Sequence, residues 1–192
     1  TVISHIRQAN VGGVNLENTH PFSRELWGYT WTFAHNGQLE KTLLDWPLKF
    51  YRPVGTTDSE YAFCWLLGEI REKFPERPAE MEPLVRFVEQ CAAKLRALGV
   101  FNMLLSESEY LFCYCTTKLH WLIRQAPFGE AQLKDTELTI DFCSETQDED
   151  VVSVIATEPL THNEAWQAFR TGELLVFRHG ALEHQLLETE AG

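Results

Sequence analysis

Apolar and polar side chains alternate through "WTFAHN", with Trp31, Phe33 and His35 on one face and Thr32, Ala34 and Asn36 on the other. That period of two is the mark of a strand with two unlike faces. The pattern breaks at Asn36-Gly37. Asn-Gly between alternating residues usually centres a two-residue hairpin, because a type I′ turn needs positive φ at both positions. The strand is therefore expected to stop there. The same dipeptide has a second use, since the Asn36 side-chain amide and the Gly37 backbone N–H are donors able to hold a developing oxyanion.

The same reading extends along the chain. "TVISHIRQA" at 1–9 predicts a strand with Ile3, His5 and Arg7 on one face and Val2, Ser4 and Ile6 on the other. The Gly- and Asn-rich stretch that follows predicts a loop, closed by Pro21, which disfavours helix at His20. Thr57-Asp58-Ser59-Glu60 matches a capping box, and Phe63, Leu66, Leu67, Ile70 and Phe74 follow at helical spacing, so residues 58–73 are expected to be helical. A second helix is expected over 83–98, stopped by Gly99. Strands are expected at 100–108, 110–117, 119–126, 151–159, 173–178 and 181–187, the last pair joined around His179-Gly180. Strands, two helices and strands again predict one α+β domain over 1–192, with antiparallel sheets covered by helices.

Composition narrows the function. In 192 residues, 44% hydrophobic and 12% aromatic, there is material for one sizeable core. A formal charge of −12 opposes nucleic acid and anionic membrane as partners. The acidic run at 144–152 reads as a solvated loop. Five cysteines, at 64, 91, 113, 115 and 143, form no C-x-x-C pair, which argues against a zinc ribbon or a disulfide framework. Cys113 and Cys115 would share one strand face as small core residues. With no signal-peptide or membrane-spanning pattern, the expected compartment is the reducing cytoplasm. The chain opens without an initiator Met and already reads as strand interior, so a segment upstream is expected to be missing.

Arg7, Asn36, Gly37 and Asp58 carry the candidate chemistry. A site for a γ-glutamyl amide needs a guanidinium for a carboxylate, a carboxylate for an ammonium and donors for an oxyanion. Arg7 lies on a strand face otherwise built by Ile3, His5 and Ala9, where a permanent charge needs a partner. Asp58 falls in the first turn of a helix, which favours its ionised form. Each also has a structural reading: Arg7 in an ion pair, Asp58 as a favourable first-turn acid, Asn36-Gly37 as a turn. His5, His20 and His35 lack the short spacing of metal ligands. His35 is expected to fix the strand end by hydrogen bonding, and His20-Pro21 to shape the loop.

In order, "SHIRQA", "ENTHPF", "FAHNGQL" and "TTDSE" resemble the class II glutamine amidotransferases, which are N-terminal-nucleophile hydrolases. "ENTHPFSRELWG", "RPVGTTDSE", "GVFNMLLS" and "VIATEPLTHNEAW" resemble the stand-alone YafJ-like group most closely, almost to the C-terminus. The resemblance implies a four-layer αββα sandwich whose first strands are missing from this chain. It also implies Arg7 for the glutamine carboxylate, Asp58 for its α-amino group, and Asn36 with Gly37 as oxyanion hole, with no cofactor and no metal. The implied activity is cleavage of glutamine or a γ-glutamyl amide through a cysteine thioester, the ammonia either released or passed to a separate accepting partner.

Two positions depart from the family. Many relatives carry Thr-His where this chain has Asn10-Val11. The family nucleophile is a cysteine at residue one, whose thiol, of pKa about 8.5, uses the chain's own amine, of pKa about 8, as base. Thr1 lies too close to Arg7 to replace it, and none of the five cysteines is expected to do so. The chain alone is therefore expected to be inactive. The alternatives are a non-catalytic γ-glutamyl or glutamine-binding module, and an α+β interaction domain.

Overall fold

The computed structural model describes residues 1–5, 15–142 and 147–187. The strands are β1 (Phe22–Leu26), β2 (Tyr29–Leu39), β3 (Gly99–Ser106), β4 (Tyr110–Cys115), β5 (His120–Gln125), β6 (Glu130–Gln132), β7 (Thr139–Asp141), β8 (Val151–Ala156), β9 (Gln167–Ala168), β10 (Glu173–Arg178) and β11 (Ala181–Leu187). The α-helices are α1 (Asp58–Lys73) and α2 (Glu82–Arg96). A six-stranded antiparallel sheet runs β1-β2-β3-β4-β10-β11. A three-stranded antiparallel sheet runs β8-β5-β9, and β6 pairs with β7. The α+β class and the antiparallel sheets agree with the sequence reading.

The six-stranded sheet is buried on both faces. One face sends Trp31, Phe33, Phe101, Met103, Leu105, Phe112, Tyr114 and Leu174 into a core shared with Phe63, Leu66 and Leu67 of α1 and Leu84, Val88 and Leu95 of α2. The other sends Cys113, Cys115, Leu175 and Phe177 into a second core with Leu119, Phe169, Trp121 and Ile155. The pairing of Cys113 with Cys115 on one strand face thus places both thiols between the sheets. The described residues form helix, sheet and sheet, three layers of the expected sandwich. Among the described residues no helix is long and apolar enough to cross a membrane.

The tight turn expected at Asn36-Gly37 does not form. β2 runs through both residues to Leu39 and stays in register with β3, Asn36 facing Asn102 and Gly37 facing Phe101. The hairpin turn lies earlier in the chain, at Trp27-Gly28. Leu26 pairs with Tyr29, and the two intervening residues, Trp27 and Gly28, take φ values of 59° and 81°, as a type I′ turn requires. β1 itself begins at Phe22, inside the stretch 10–23 read as loop. No strand is formed over residues 1–5; the rest of the first expected strand, Arg7 included, lies outside the described residues.

α1 begins where the capping pattern places it, and the Thr57 hydroxyl accepts from the Glu60 N–H at 3.2 Å. Glu60 departs from the reciprocal box. Its carboxylate, 1% exposed, accepts from the Val54 N–H at 2.9 Å, the Gly55 N–H at 2.7 Å and the Arg24 guanidinium at 2.6 Å. One buried acid therefore ties β1, the loop before α1 and the first turn of α1 together.

Replacing Glu60 by Gln turns one acceptor oxygen into a donor facing a backbone N–H or Arg24. The expected cost in urea unfolding is about 2–3 kcal/mol, from a buried charge pair broken on one side and an N–H left unpaired. A loss below about 0.5 kcal/mol, the range of ordinary surface changes, would contradict this role.

Candidate active site

The C-terminal end of β2 and the N-terminal end of α1 are joined at two points. Asp58 Oδ2 accepts from the Leu39 N–H at 2.8 Å, and Asp58 Oδ1 accepts from the Ser59 N–H at 2.8 Å. Earlier in β2, His35 Nδ1 lies 2.8 Å from Ser59 Oγ and His35 Nε2 lies 3.0 Å from the Val100 carbonyl oxygen. A carbonyl oxygen only accepts, so Nε2 carries the ring proton and Nδ1 accepts the Ser59 hydroxyl proton. That hydroxyl has one proton, so its 3.3 Å approach to Asp58 Oδ1 is not a hydrogen bond in the same arrangement. Each Asp58 oxygen then keeps acceptor capacity for a further donor.

His35 is 2% exposed, and burial holds its pKa below the ordinary value. The Val100 carbonyl and the Asp58 charge oppose that shift, and His5 adds to it. The ring is therefore neutral at pH 7. It bonds as expected but within β2 and not at its end, and it ties the strand to α1 through Ser59, a partner that sequence spacing did not reveal.

Gly37 has φ +156°, and a Cβ built there would collide with the Val100 carbonyl and lie 2.8 Å from His35 Nε2. The glycine is required for this close strand approach and not for a turn. Successive N–H groups of a strand point to opposite edges. The Leu39 N–H goes to Asp58 on the edge away from β3, and the alternation places the Gly37 N–H on that same edge. β1 covers this edge only as far as Phe33. Gly37 and Asp58 thus lie along one uncovered edge of β2, with Asn36 next to Gly37 in the strand and its side chain turned to Thr157.

Asn36 is exposed, yet it is gripped twice. Its carbonyl oxygen accepts from Asn102 Nδ2 at 2.9 Å, and its own Nδ2 donates to Thr157 Oγ1 at 3.3 Å. Asn102, 4% exposed, also donates to Thr117 Oγ1 at 2.9 Å. Its Oδ1 accepts from the N–H groups of Thr116, Thr117 and Lys118. An asparagine inside the apolar run "VFNMLL" signals such a set of partners, because a buried amide without them is costly. Sequence reading did not single out Asn102 or Thr157.

The four described cysteines are buried. Burial pushes the thiols up, to about 11 for Cys64 and Cys115, to about 12 for Cys91 and well above the ordinary range for Cys113. None supplies thiolate near neutral pH. Cys143, like Arg7, Asn10 and Val11, lies outside the described residues. The His5 ring packs on the His20 ring at 4.3 Å, and His20 packs on Phe22 at 4.5 Å. Among the described residues no group of three or more His, Cys, Asp or Glu side chains could hold a metal ion.

The family described as "Glutamine amidotransferases class-II" matches residues 1–191. Over 179 residues the chain is 54% identical to "Putative glutamine amidotransferase YafJ" of Escherichia coli K12, covering 92% of this chain and 69% of that protein. A crystal structure titled as a "predicted glutamine amidotransferase" from Pseudomonas aeruginosa superposes with a TM-score of 0.81 at 53% identity, over 93% of this chain and 69% of the other. A glutamine phosphoribosylpyrophosphate amidotransferase from B. subtilis is similar in fold alone, with a TM-score of 0.54 at 14% identity over 97% of this chain and 34% of the other.

Two outcomes follow from this geometry. His35 resists protonation when folded and titrates normally when unfolded, so the unfolded state binds more protons below pH ~6.5. The His35 contribution is complete above that pH and is lost as pH falls towards the lowered native pKa. Unfolding free energy should therefore fall more steeply between pH 7 and 5 in the wild type than in His35→Asn, by up to ~1.4 kcal/mol per pH unit. Equal slopes would contradict the neutral ring. Gly37→Ala should cost more than about 2 kcal/mol in denaturant unfolding through forced strand separation, and a cost near zero would contradict the close approach.

Proposed function

The chain belongs to the class II glutamine amidotransferases, and from that premise we propose that it forms the γ-glutamyl-binding and oxyanion-stabilising part of an amidohydrolase. The substrate is glutamine or a related γ-glutamyl amide. The observation that carries this reading is the Leu39–Asp58 hydrogen bond of 2.8 Å, which sets a carboxylate with open acceptor capacity beside the Asn36-Gly37 donors.

In this proposal the Asp58 carboxylate takes the substrate's α-ammonium and Arg7 takes its α-carboxylate. Arg suits that task because its planar fork gives two parallel charge-assisted hydrogen bonds. The scissile amide is then held with its carbonyl oxygen towards Asn36 Nδ2 and the Gly37 N–H. A cysteine thiolate from outside the described residues attacks the carbonyl carbon, and the C=O electron pair moves to oxygen, where the two N–H groups stabilise it. Collapse of the tetrahedral species breaks the C–N bond. The leaving nitrogen takes a proton and departs as ammonia or an amine, leaving a thioester. Water then attacks the thioester, the same donors hold the second oxyanion, and glutamate leaves with the thiol restored.

A nucleophile other than the four buried thiols fits their raised pKa values, since each of those is poorly suited to the role. Ammonia is either released to water or handed to a separate accepting partner. The charge of −12 favours no polyanionic partner.

The test uses the protein translated from its natural start, under reducing conditions, with ammonia and glutamate measured. Asn36→Ala should lower kcat by about 10²–10³ with KM little changed, the usual loss for one oxyanion donor. Asp58→Asn should chiefly weaken glutamate binding, by about tenfold or more, as expected for loss of a charge-assisted contact. Release of neither ammonia from glutamine nor glutamate from γ-glutamyl amides would overturn the catalytic reading. Glutamate binding retained without turnover would favour a non-catalytic binding module instead.

A further inference from the structure

Asn36 belongs to the six-stranded sheet, yet the residue that touches its side-chain amide follows β8 of the three-stranded sheet. Thr157 Oγ1 accepts from Asn36 Nδ2 at 3.3 Å. An amide nitrogen carries two N–H groups in one plane at fixed angles. With one directed at Thr157, the direction of the other is set, and among the described residues that nitrogen has no further partner. We propose that Thr157 is a positioning residue that aims the second Asn36 N–H at the substrate carbonyl oxygen, with Asn102 holding the main chain of Asn36 in place. This rests on the amidohydrolase reading above.

Three observations support the assignment. The Thr157 main chain is itself fixed, because its carbonyl oxygen accepts from His120 Nδ1 at 3.0 Å. The Asn36 carbonyl is fixed by Asn102 at 2.9 Å, and the same Asn102 amide gathers the turn at Thr116–Lys118 that leads into β5. Side chain and main chain of Asn36 are therefore both referred to the start of β5, one through His120 and Thr157, the other through Asn102 and the turn. Finally, the Thr157 bond is exposed, and an exposed neutral hydrogen bond adds little to folding. Its angular effect on a donor matters more, since donors must lie within a few tenths of an ångström of the place an oxyanion occupies.

The positioning role predicts a kcat effect without a binding effect. In the protein translated from its natural start, Thr157→Val removes the acceptor at nearly constant shape and should lower kcat about tenfold, with KM and glutamate affinity unchanged. Thr157→Ser keeps the hydroxyl and should restore kcat to within twofold of wild type. In an Asn36→Ala background, Thr157→Val should change kcat no further, because its effect passes through Asn36. A readout independent of turnover is the Asn36 side-chain NH₂ signal in ¹⁵N-¹H spectra, which should shift in Thr157→Val and not in Thr157→Ser. Thr157→Ala serves the same purpose if the valine variant folds poorly. An unshifted NH₂ signal, a kcat within twofold of wild type for Thr157→Val, or an equal loss in the Asn36→Ala background would each overturn the proposal. An inactive wild type would remove the amidohydrolase reading, leaving the NH₂ signal to decide the positioning of the amide.

Discussion

The junction between β2 and α1 sets the geometry on which the rest depends. A strand end and a helix start each carry backbone groups without partners of their own. Here one side chain serves both: the Asp58 carboxylate accepts from the Leu39 N–H and from the Ser59 N–H, each at 2.8 Å, while the His35 ring accepts from the Ser59 hydroxyl at 2.8 Å. Because these bonds are short and partly or fully buried, α1 cannot shift along β2 without breaking them. An acid in the first turn of a helix is ordinarily just a favourable charge. Bound to a strand end, it becomes an acceptor fixed beside the end of β2.

The two cores support that junction from opposite sides. Phe33 stacks on Phe63 at 5.0 Å with the rings nearly parallel, and this contact presses β2 against α1 one turn from Asp58. On the far face, Cys113, Leu175 and Phe177 seat the three-stranded sheet, which brings the end of β8 and Thr157 over to Asn36. The Asp58 carboxylate of α1 and the Thr157 hydroxyl that follows β8 thus both reach the end of β2, one at Leu39 and the other at Asn36, because each layer packs on the same central strands. In the proposed reading, the ammonium of a γ-glutamyl head group meets Asp58 and its amide carbonyl meets the Asn36-Gly37 donors.

Much of this was legible in the residue pattern, and the exceptions have physical causes. The start of α1 could be read because a cap needs particular side chains at fixed spacing, and Thr57 supplies one. The long strands at 173–178 and 181–187 could be read from continuous apolar runs and alternation. The Asn36-Gly37 turn was misread because glycine serves two needs that look identical in sequence, positive φ in a turn and space for a neighbouring backbone. Here the Val100 carbonyl occupies the space a Cβ would fill, while Trp27-Gly28 makes the turn. β1 was hidden because five residues with mixed polarity, the first two of them at the end of the stretch read as loop, carry little periodic signal. Asn102 and Thr157 were not singled out because their roles depend on contacts across 66 and 121 positions of sequence, which no local pattern reports.

The central claim is that one small pocket at this junction grips the head of a γ-glutamyl compound. Titration of the ¹⁵N-labelled chain with L-glutamate, followed by ¹⁵N-¹H spectra, tests it most directly. The account predicts that the backbone amides of Gly37, Leu39 and Ser59 and the Asn36 side-chain NH₂ move together and saturate with one dissociation constant. Saturable shifts confined to other surfaces, with these four signals unmoved, would contradict it.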